Sequence, residues 1–355
     1  MTLKKSQWAR AILDESATLS DAIKTLNDAA LRIVMVADSS GMLLGTVTDG
    51  DIRRAIIKEK ALSISIREAM NSNPVTGRES DPLEVIRNLM SAHDVLQIPI
   101  LDKQNRIVGV EVLQELVEAD LENHVLIMAG GFGKRLGSLT ASTPKPMLDV
   151  GGIPILERII RDLSKSGFKK IHIAIHYKGE VIKSYFGDGK RWDVSIDYVE
   201  EQTPLGTGGA LTCLSAESWA APLLVLYGDL VLTTPFRQML SFHCDNACDV
   251  TMAVREHLVE IPYGVVETQS QRVIGLSEKP TERFFINAGI YILDQSISRK
   301  LPEKTPFDMP TLVSRAIDAD CEVMVFPLHE YWKDIGRLET LEEAKLDYQE
   351  KNRDR

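Results

Sequence analysis

Val125-Leu126-Ile127-Met128-Ala129-Gly130-Gly131-Phe132-Gly133-Lys134-Arg135-Leu136, followed by Thr143-Pro144-Lys145-Pro146-Met147, is the stretch from which the rest of the chain can be read. Its first four residues form a short apolar run, the pattern of a parallel strand buried on both faces. The run breaks into glycines, and these let a backbone approach an anion and aim several N–H groups at it. Arg135 and Lys145 then add full positive charge, which backbone dipoles alone do not supply. Ala129, Gly130, Gly131 and Gly133 are therefore read as a cradle for a polyphosphate. The glycines alone fit an ordinary turn after a strand equally well.

Two familiar phosphate motifs do not fit. A Walker loop needs Gly-Lys followed by Ser or Thr, but Arg135 follows Lys134. The dinucleotide fingerprint needs a third glycine and an acidic residue at the next strand end, and neither is in place. With the Pro-Lys-Pro element and Val150-Gly151-Gly152-Ile153-Pro154-Ile155 added, the segment resembles the sugar-1-phosphate nucleotidyltransferase family. The resemblance spans Val125 to about Leu346 and stops without an appended hexapeptide β-helix.

From Val125 onward, strands and helices alternate. The strands are expected at Ile171–Ile175, Ser195–Val199 and Leu223–Tyr227. An amphipathic helix is expected over Pro154–Gly167, with Gly167 as its C-terminal stop. Such alternation predicts an α/β fold, a doubly wound and mostly parallel sheet with ligands at the carboxyl ends of its strands. The resemblance makes that fold GT-A-like, preceded by a smaller α/β unit.

The first 120 or so residues repeat internally. Ile33–Asp38 aligns with Gln97–Asp102 at an offset of 102 minus 38, or 64 residues, without a gap. Gly45 then falls on Gly109, Thr48 on Val112, Asp51 on Glu115 and Ile52 on Leu116. Helices are expected at Leu19–Ala29 and Pro82–Ala92, with Ser20 and Ser80 at their N-caps beside Asp21 and Asp81. The repeat resembles a tandem pair of CBS domains, about 1–60 and 61–120, with Gly45–Ile52 as its clearest motif. In that family a hydroxyl and a carboxylate hold an adenosine ribose and phosphate, and Thr48 and Asp51 match them. A capping role for Asp51 in a purely structural pair fits as well. Leu116–His124 reads as a short acidic helical linker to a transferase over 124–348, and residues 349–355 as a frayed polar tail.

The family resemblance assigns the chemistry. Arg135 would lie along the triphosphate, with a surface charge as its bland alternative, and Lys145 would meet the departing pyrophosphate. Asp229, at the end of an apolar strand, and Asp334, in a turn opening the last helix, would bind Mg2+; a helix N-cap is the other reading of Asp334. Tyr227 stands where the family has asparagine before Gly-Asp. The sugar phosphate would meet Gly264, Glu278, Lys279 and Asn287. Glu200, Glu201, Gln202 and Gly206 would face the base. An acidic acceptor suits guanine's N–H donors, whereas Gln202 could pair with uracil.

Bulk properties set the outer bounds. The chain has 355 residues and a formal net charge of −10, which argues against a nucleic-acid partner. No run of about 18 apolar residues suggests a membrane span, and Met1–Trp8 has no apolar core of a signal peptide. Of the four cysteines, His243-Cys244 with Cys248 invites a zinc reading, but paired short spacings of four ligands are missing. Reduced thiols in a cytoplasmic protein are the expectation. The expected partners are a nucleoside triphosphate, GTP above others, a hexose 1-phosphate of glucosamine or mannose type, and an adenine nucleotide at the CBS pair. Homo-oligomers through exposed CBS helices are a further expectation. Other base specificities, or a catalytically silent nucleotide sensor, are the competing functions. The order of a CBS pair before a transferase is similar to that of glucosamine-1-phosphate guanylyltransferases of legionaminic acid synthesis.

Overall fold

The structure, a computed structural model, describes residues 8–353 except 30, 59–60, 94, 113–119 and 302–305. The chain divides into two compact units, Met1–Glu118 and Ala119–Arg355.

In the first unit the repeat is written into the pairing. Ile12–Asp14, Ile33–Ala37 and Leu43–Thr48 form one three-stranded sheet; Gly77–Arg78, Gln97–Leu101 and Ile107–Val112 form the other. Each has one parallel and one antiparallel pair. Val36 pairs Gly45 and Ile100 pairs Gly109, and each antiparallel pair shifts register at that place, before Ala37 and before Leu101. The two turns also bind each other. Leu43 N–H donates to Asn105 O at 3.0 Å and Ile107 N–H to Gly41 O at 3.1 Å, so each copy closes the other's sheet end. Glu115 and Leu116, the counterparts of Asp51 and Ile52, lie outside the described residues.

The helices fall at Leu19–Ala29 and Leu83–Ala92, but their caps differ from expectation. Thr18 is the first cap: its N–H donates to Asp21 Oδ2 at 2.9 Å, and Asp21 N–H returns a bond to Thr18 Oγ1 at 3.2 Å. This reciprocal box leaves Ser20 inside the helix. The second helix follows Pro82 in an extended conformation with no side-chain cap, while Asp81 accepts from Arg78 N–H at 2.8 Å. Ser80 therefore caps nothing.

The second unit is built on one seven-stranded sheet. Its strands are β1 (Leu121–Met128), β2 (Phe168–Ile175), β3 (Ser195–Glu200), β4 (Leu223–Tyr227), β6 (Val250–Glu260), β9 (Thr281–Leu293) and β10 (Val323–Leu328). Three small pairs complete it: Asp149–Val150 with Ile153–Pro154, β5 (Leu230–Leu232) with β11 (Trp332–Asp334), and the hairpin β7 (Val265–Gln269) with β8 (Arg272–Ser277). The order across the sheet is β3-β2-β1-β4-β9-β6-β10. All neighbours run parallel except β9, which is antiparallel to β4 and β6.

Both faces are buried. Val125 and Ile127 point into a core with α1 (Ile155–Lys165), α2 (Gly179–Phe186) and α3 (Phe236–Asp245), while Leu126 points into a second core with α4 (Met309–Asp318). Alternate side chains on opposite faces explain why β1 is apolar throughout its second half. Leu121–His124 belongs to β1 and is not helix: Leu121 pairs Phe168 and His124 pairs Lys170. Residues 116–119 of the expected linker lie outside the described residues. Helix α5 runs Leu338–Arg353, so the tail is helical to Arg353. Its Gln, Glu, Lys and Arg residues are good helix formers, which polarity alone had disguised; the last two residues lie outside the described set.

A histidine pair sits on this sheet. His124 Nδ1 and His172 Nε2 are 2.8 Å apart, with rings stacked at 5.1 Å, and Ser218 Oγ is 3.2 Å from His172 Nε2. Burial, before any neighbouring charge, holds both imidazoles below their ordinary range. The unfolded chain therefore takes up protons that the folded state refuses. The pair's stabilising share is intact above about pH 6.5 and is lost as pH falls below it. The melting temperature should drop between about pH 7 and about pH 5, and His124→Asn with His172→Gln should flatten that drop. An equal slope in both proteins would refute this.

Candidate active site

The glycine loop leaves β1 at the sheet's carboxyl edge. Ala129 N–H still donates to Ala174 O at 2.9 Å. Gly130 then presses so close to His176 that a Cβ would lie 3.2 Å from its backbone nitrogen. Gly133 has φ +62° and hands its carbonyl to Leu136 N–H and Thr140 Oγ1, both at 3.0 Å. The tight turn that results opens onto a short helical segment, Lys134–Thr140, which carries Arg135.

Lys145 follows on a second turn framed by Pro144 and Pro146. Its ammonium bridges two carboxylates, ion-pairing with Asp229 and lying 3.5 Å from Asp334 Oδ1. Backbone pairing explains how residues 105 positions apart (334 minus 229) meet. Leu230 pairs Asp334 between β5 and β11, and Ile335 N–H donates to Asp229 O at 3.3 Å. Gly228 N–H donates to Met128 O at 2.9 Å, tying this turn to the end of β1. Asp334 thus lies in a strand pair; it neither turns into nor caps the last helix, which begins at Leu338. A Cβ on Gly336 would lie 3.4 Å from an Arg135 guanidinium nitrogen, so Arg135 reaches the same corner.

These groups line one cleft of about 350 Å³ with Ala129, Gly130, Gly131, Glu201 and Gly206. Gly133 does not line it, and Gln202 is exposed outside it. Glu200 turns away to an ion pair with Lys183. Glu201 accepts from Leu205 N–H at 3.3 Å, and burial pushes its carboxyl above the ordinary range.

At that end the loop Leu205–Gly209 is clamped by residues 307–309. Gly208 N–H donates to Phe307 O and Phe307 N–H to Leu205 O, both at 2.9 Å. Asp308 Oδ1 accepts from Thr207 N–H at 2.8 Å and from its hydroxyl at 3.1 Å, and Met309 N–H returns to Thr207 Oγ1 at 3.0 Å. Thr207, Phe132 and Tyr227, which stand within or beside the expected stretches, also line the cleft, and so does Asp308, which was not expected there. Asp308 precedes Met309-Pro310, a helix-start signal, but nothing in its neighbours points to a loop 100 residues earlier.

The expected sugar residues lie off the cleft, on the arm formed by β7, β8 and the flanking strands. A Cβ on Gly264 would sit 3.0 Å from Glu278 Oε2, and Lys279 N–H donates to Tyr263 O at 3.3 Å, so these three gather at one hairpin base. Asn287 donates to the Tyr291 hydroxyl and accepts from Gly289 N–H at 2.9 Å. It reaches the cleft only through Tyr227, whose hydroxyl is 3.5 Å from that of Tyr291. In the first unit, Thr48 and Asp51 satisfy one another as a capping box: Thr48 N–H and Oγ1 donate to Asp51 Oδ2 at 2.8 and 2.6 Å, and Arg54 pairs with Asp51 Oδ1 at 2.5 Å.

Two carboxylates already gripping one cation offer the hard oxygen donors that a divalent ion takes. Their setting in an α/β sheet, beside a glycine loop and an arginine, defines a protein built to hold phosphorylated ligands at the strand ends. Residues 124–351 match the nucleotidyl transferase family model, and 11–58 and 66–110 match that of the CBS domain. The chain belongs to the nucleotidyl transferase family and carries a CBS pair before it.

Among relatives, a mannose-1-phosphate guanylyltransferase of Mycobacterium tuberculosis is 31% identical over 229 residues, 62% of this chain and 63% of that protein. The chain thus spans under two thirds of that relative's length. A D-glycero-alpha-D-manno-heptose 1-phosphate guanylyltransferase of Aneurinibacillus thermoaerophilus is 32% identical over 227 residues, 63% of this chain and 97% of that protein. The crystal structure of HddC from Yersinia pseudotuberculosis, complexed with GMP-PN, superposes with a TM-score of 0.50 at 26% identity, covering 64% of this chain and 99% of that one.

Proposed function

We propose that the second unit transfers guanylate from GTP to a hexose 1-phosphate, releasing pyrophosphate. The observation that carries this reading is the convergence of Arg135, Lys145, Asp229 and Asp334 on one cleft with the glycine loop. Little covalent work is asked of the protein, so positioning and charge neutralisation dominate. The glycine loop would hold the β- and γ-phosphates, with Arg135 alongside. A sugar-phosphate oxygen attacks the α-phosphorus in line while Lys145 neutralises the leaving pyrophosphate. Asp229 and Asp334 would hold Mg2+, which supplies further neutralisation at the α-phosphate. On the arm, Lys279 would meet the incoming phosphate, with Glu278, Asn287 and Gly264 near the sugar.

Guanine is favoured because Glu201 lines the cleft and Gln202 does not, and because both relatives are named as guanylyltransferases. Every charged position needed for turnover is kept, which favours an enzyme over a silent sensor. Free thiols and phosphorylated substrates suit a cytoplasmic setting; no helix of the described residues is long and apolar enough to cross a membrane. The test is a screen of the four nucleoside triphosphates against hexose 1-phosphates, glucosamine and mannose types included, read by pyrophosphate release. GTP should dominate; no release with any pair would overturn the reading.

Glu201 gives the base assignment its own test. As pH falls through its raised pKa, the acceptor is lost and KM for GTP rises, at a higher pH than the about 4.3 of an ordinary glutamate. Glu201→Gln should raise KM about tenfold or more and remove that pH step. The folded state holds this proton more tightly than the unfolded chain, so stability falls as pH rises between the ordinary and raised values. Glu201→Gln should therefore melt no lower than wild type at neutral pH. An unchanged KM would sink the guanine contact.

For the CBS pair the capping box favours a structural role, and adenine-nucleotide regulation through Thr48 and Asp51 is the competing proposal. Titrating AMP and ATP while following the initial rate separates the two.

A further inference from the structure

The ammonium of Lys145 bridges the two carboxylates that would hold a divalent cation. It pairs with Asp229 and lies 3.5 Å from Asp334 Oδ1. The lysine is buried, and an ammonium taken out of water needs counter-charges, so the three groups satisfy one another. Arg135 comes close to the same corner: a Cβ on Gly336 would lie 3.4 Å from its guanidinium and 3.6 Å from Asp334 Oδ2. With Lys145 and Arg135 in place, the charges of Asp229 and Asp334 are already balanced.

A divalent ion is bound by oxygen donors whose charge count sets its affinity. It cannot share both carboxylates with an ammonium that bridges them, because two cations repel strongly at contact distance. Lys145 is the one that has to move. Among the described residues it pairs with both aspartates, and its flexible stem can swing a compact charge where a guanidinium fork is rigid. The cleft also gives it a destination. Lys145 and the glycine loop line the same space, and a triphosphate held there offers anionic oxygens that compete for the ammonium. We infer that Lys145 is a resident counter-ion that keeps the cation site shut until a triphosphate draws it away, so that metal and nucleotide load together. The inference rests on Asp229 and Asp334 being the metal ligands. It gives Lys145 a task before the reaction as well as during it, and by reciprocity each ligand tightens the other.

The test follows binding of Mn2+, a spectroscopic substitute for Mg2+, to the full chain by electron paramagnetic resonance, without turnover. Lys145→Met and Lys145→Gln should each bind Mn2+ about tenfold tighter than wild type. Lys145→Arg keeps the competing charge and should not. Lys169→Met changes the net charge equally at a lysine paired with Asp193, away from the cleft, and should leave the affinity unchanged. With a saturating non-hydrolysable GTP analogue, the gap between Lys145→Met and wild type should close. Variants at Lys145 that bind Mn2+ no tighter than wild type overturn the inference. So does an equal gain in Lys169→Met, or a gap that survives the analogue. Failure of the metal assignment beneath it looks different: Mn2+ then binds Asp229→Asn as well as wild type, and the inference falls with it.

Discussion

Asp229→Asn is expected to cut turnover by about a thousandfold or more while leaving the fold in place. The amide keeps the shape but withdraws the charge that a divalent cation and Lys145 both need. Stability should change little, because the Asp229 side chain is a quarter exposed and Lys145 keeps Asp334 within 3.5 Å. Lys145 is itself buried, but with Asp334 still beside it the lost partner costs less than the about 3–5 kcal/mol of a buried charge left alone. Asp334→Asn should behave alike, and the double variant should lose little more than either alone, since both carboxylates serve one cation. Arg135→Ala tests the other wall of the corner. The readouts are pyrophosphate release and thermal melting; near wild-type turnover in Asp229→Asn would dismantle the catalytic reading.

Gly206→Ala is expected to be the costliest single change in the nucleotide loop. At φ +79° an alanine is strained by about 1–2 kcal/mol. Its Cβ would also lie 2.5 Å from Phe307 O and 2.9 Å from Phe307 C, and backbone atoms cannot swing aside. Relief requires the loop to leave the 307–309 clamp, loosening hydrogen bonds worth about 1 kcal/mol each. A loss of about 2–4 kcal/mol should lower the melting temperature by several degrees. KM for GTP should rise about tenfold with a smaller change in kcat, because the loop binds and does not react. Gly131→Ala is the stability control, since a Cβ there meets nothing within 4 Å. Equal melting of the two variants would show that the clamp yields freely.

The parallel half of the sheet was legible because its strands are buried on both faces and read as apolar runs: Val125–Met128, Ile171–Ile175 and Leu223–Tyr227. The antiparallel β9 was not. The first seven residues of Thr281–Leu293 are exposed or half-buried and polar residues interrupt them, so the segment reads as a series of polar contacts around Asn287 instead of one long strand. In the site, residue types betrayed Arg135, Lys145 and the two aspartates, but their meeting depends on the pairing of Leu230 with Asp334, which no local pattern encodes. Asp308 was missed for the same reason: its own neighbours announce a helix start and nothing announces Thr207. Ser20 and Ser80 misled because a serine beside an aspartate mimics a cap, whereas Thr18 and Asp21 have the spacing that closes a box.

The anchor of the nucleotide loop sits a hundred residues downstream at Phe307–Met309, and Asp229 finds its partner only at Asp334. During synthesis both ends of the cleft stay unfinished until almost the entire second unit has left the ribosome. A fragment that stops before Phe307 would hold neither end of the cleft, so a nucleotide could not steady it through this site.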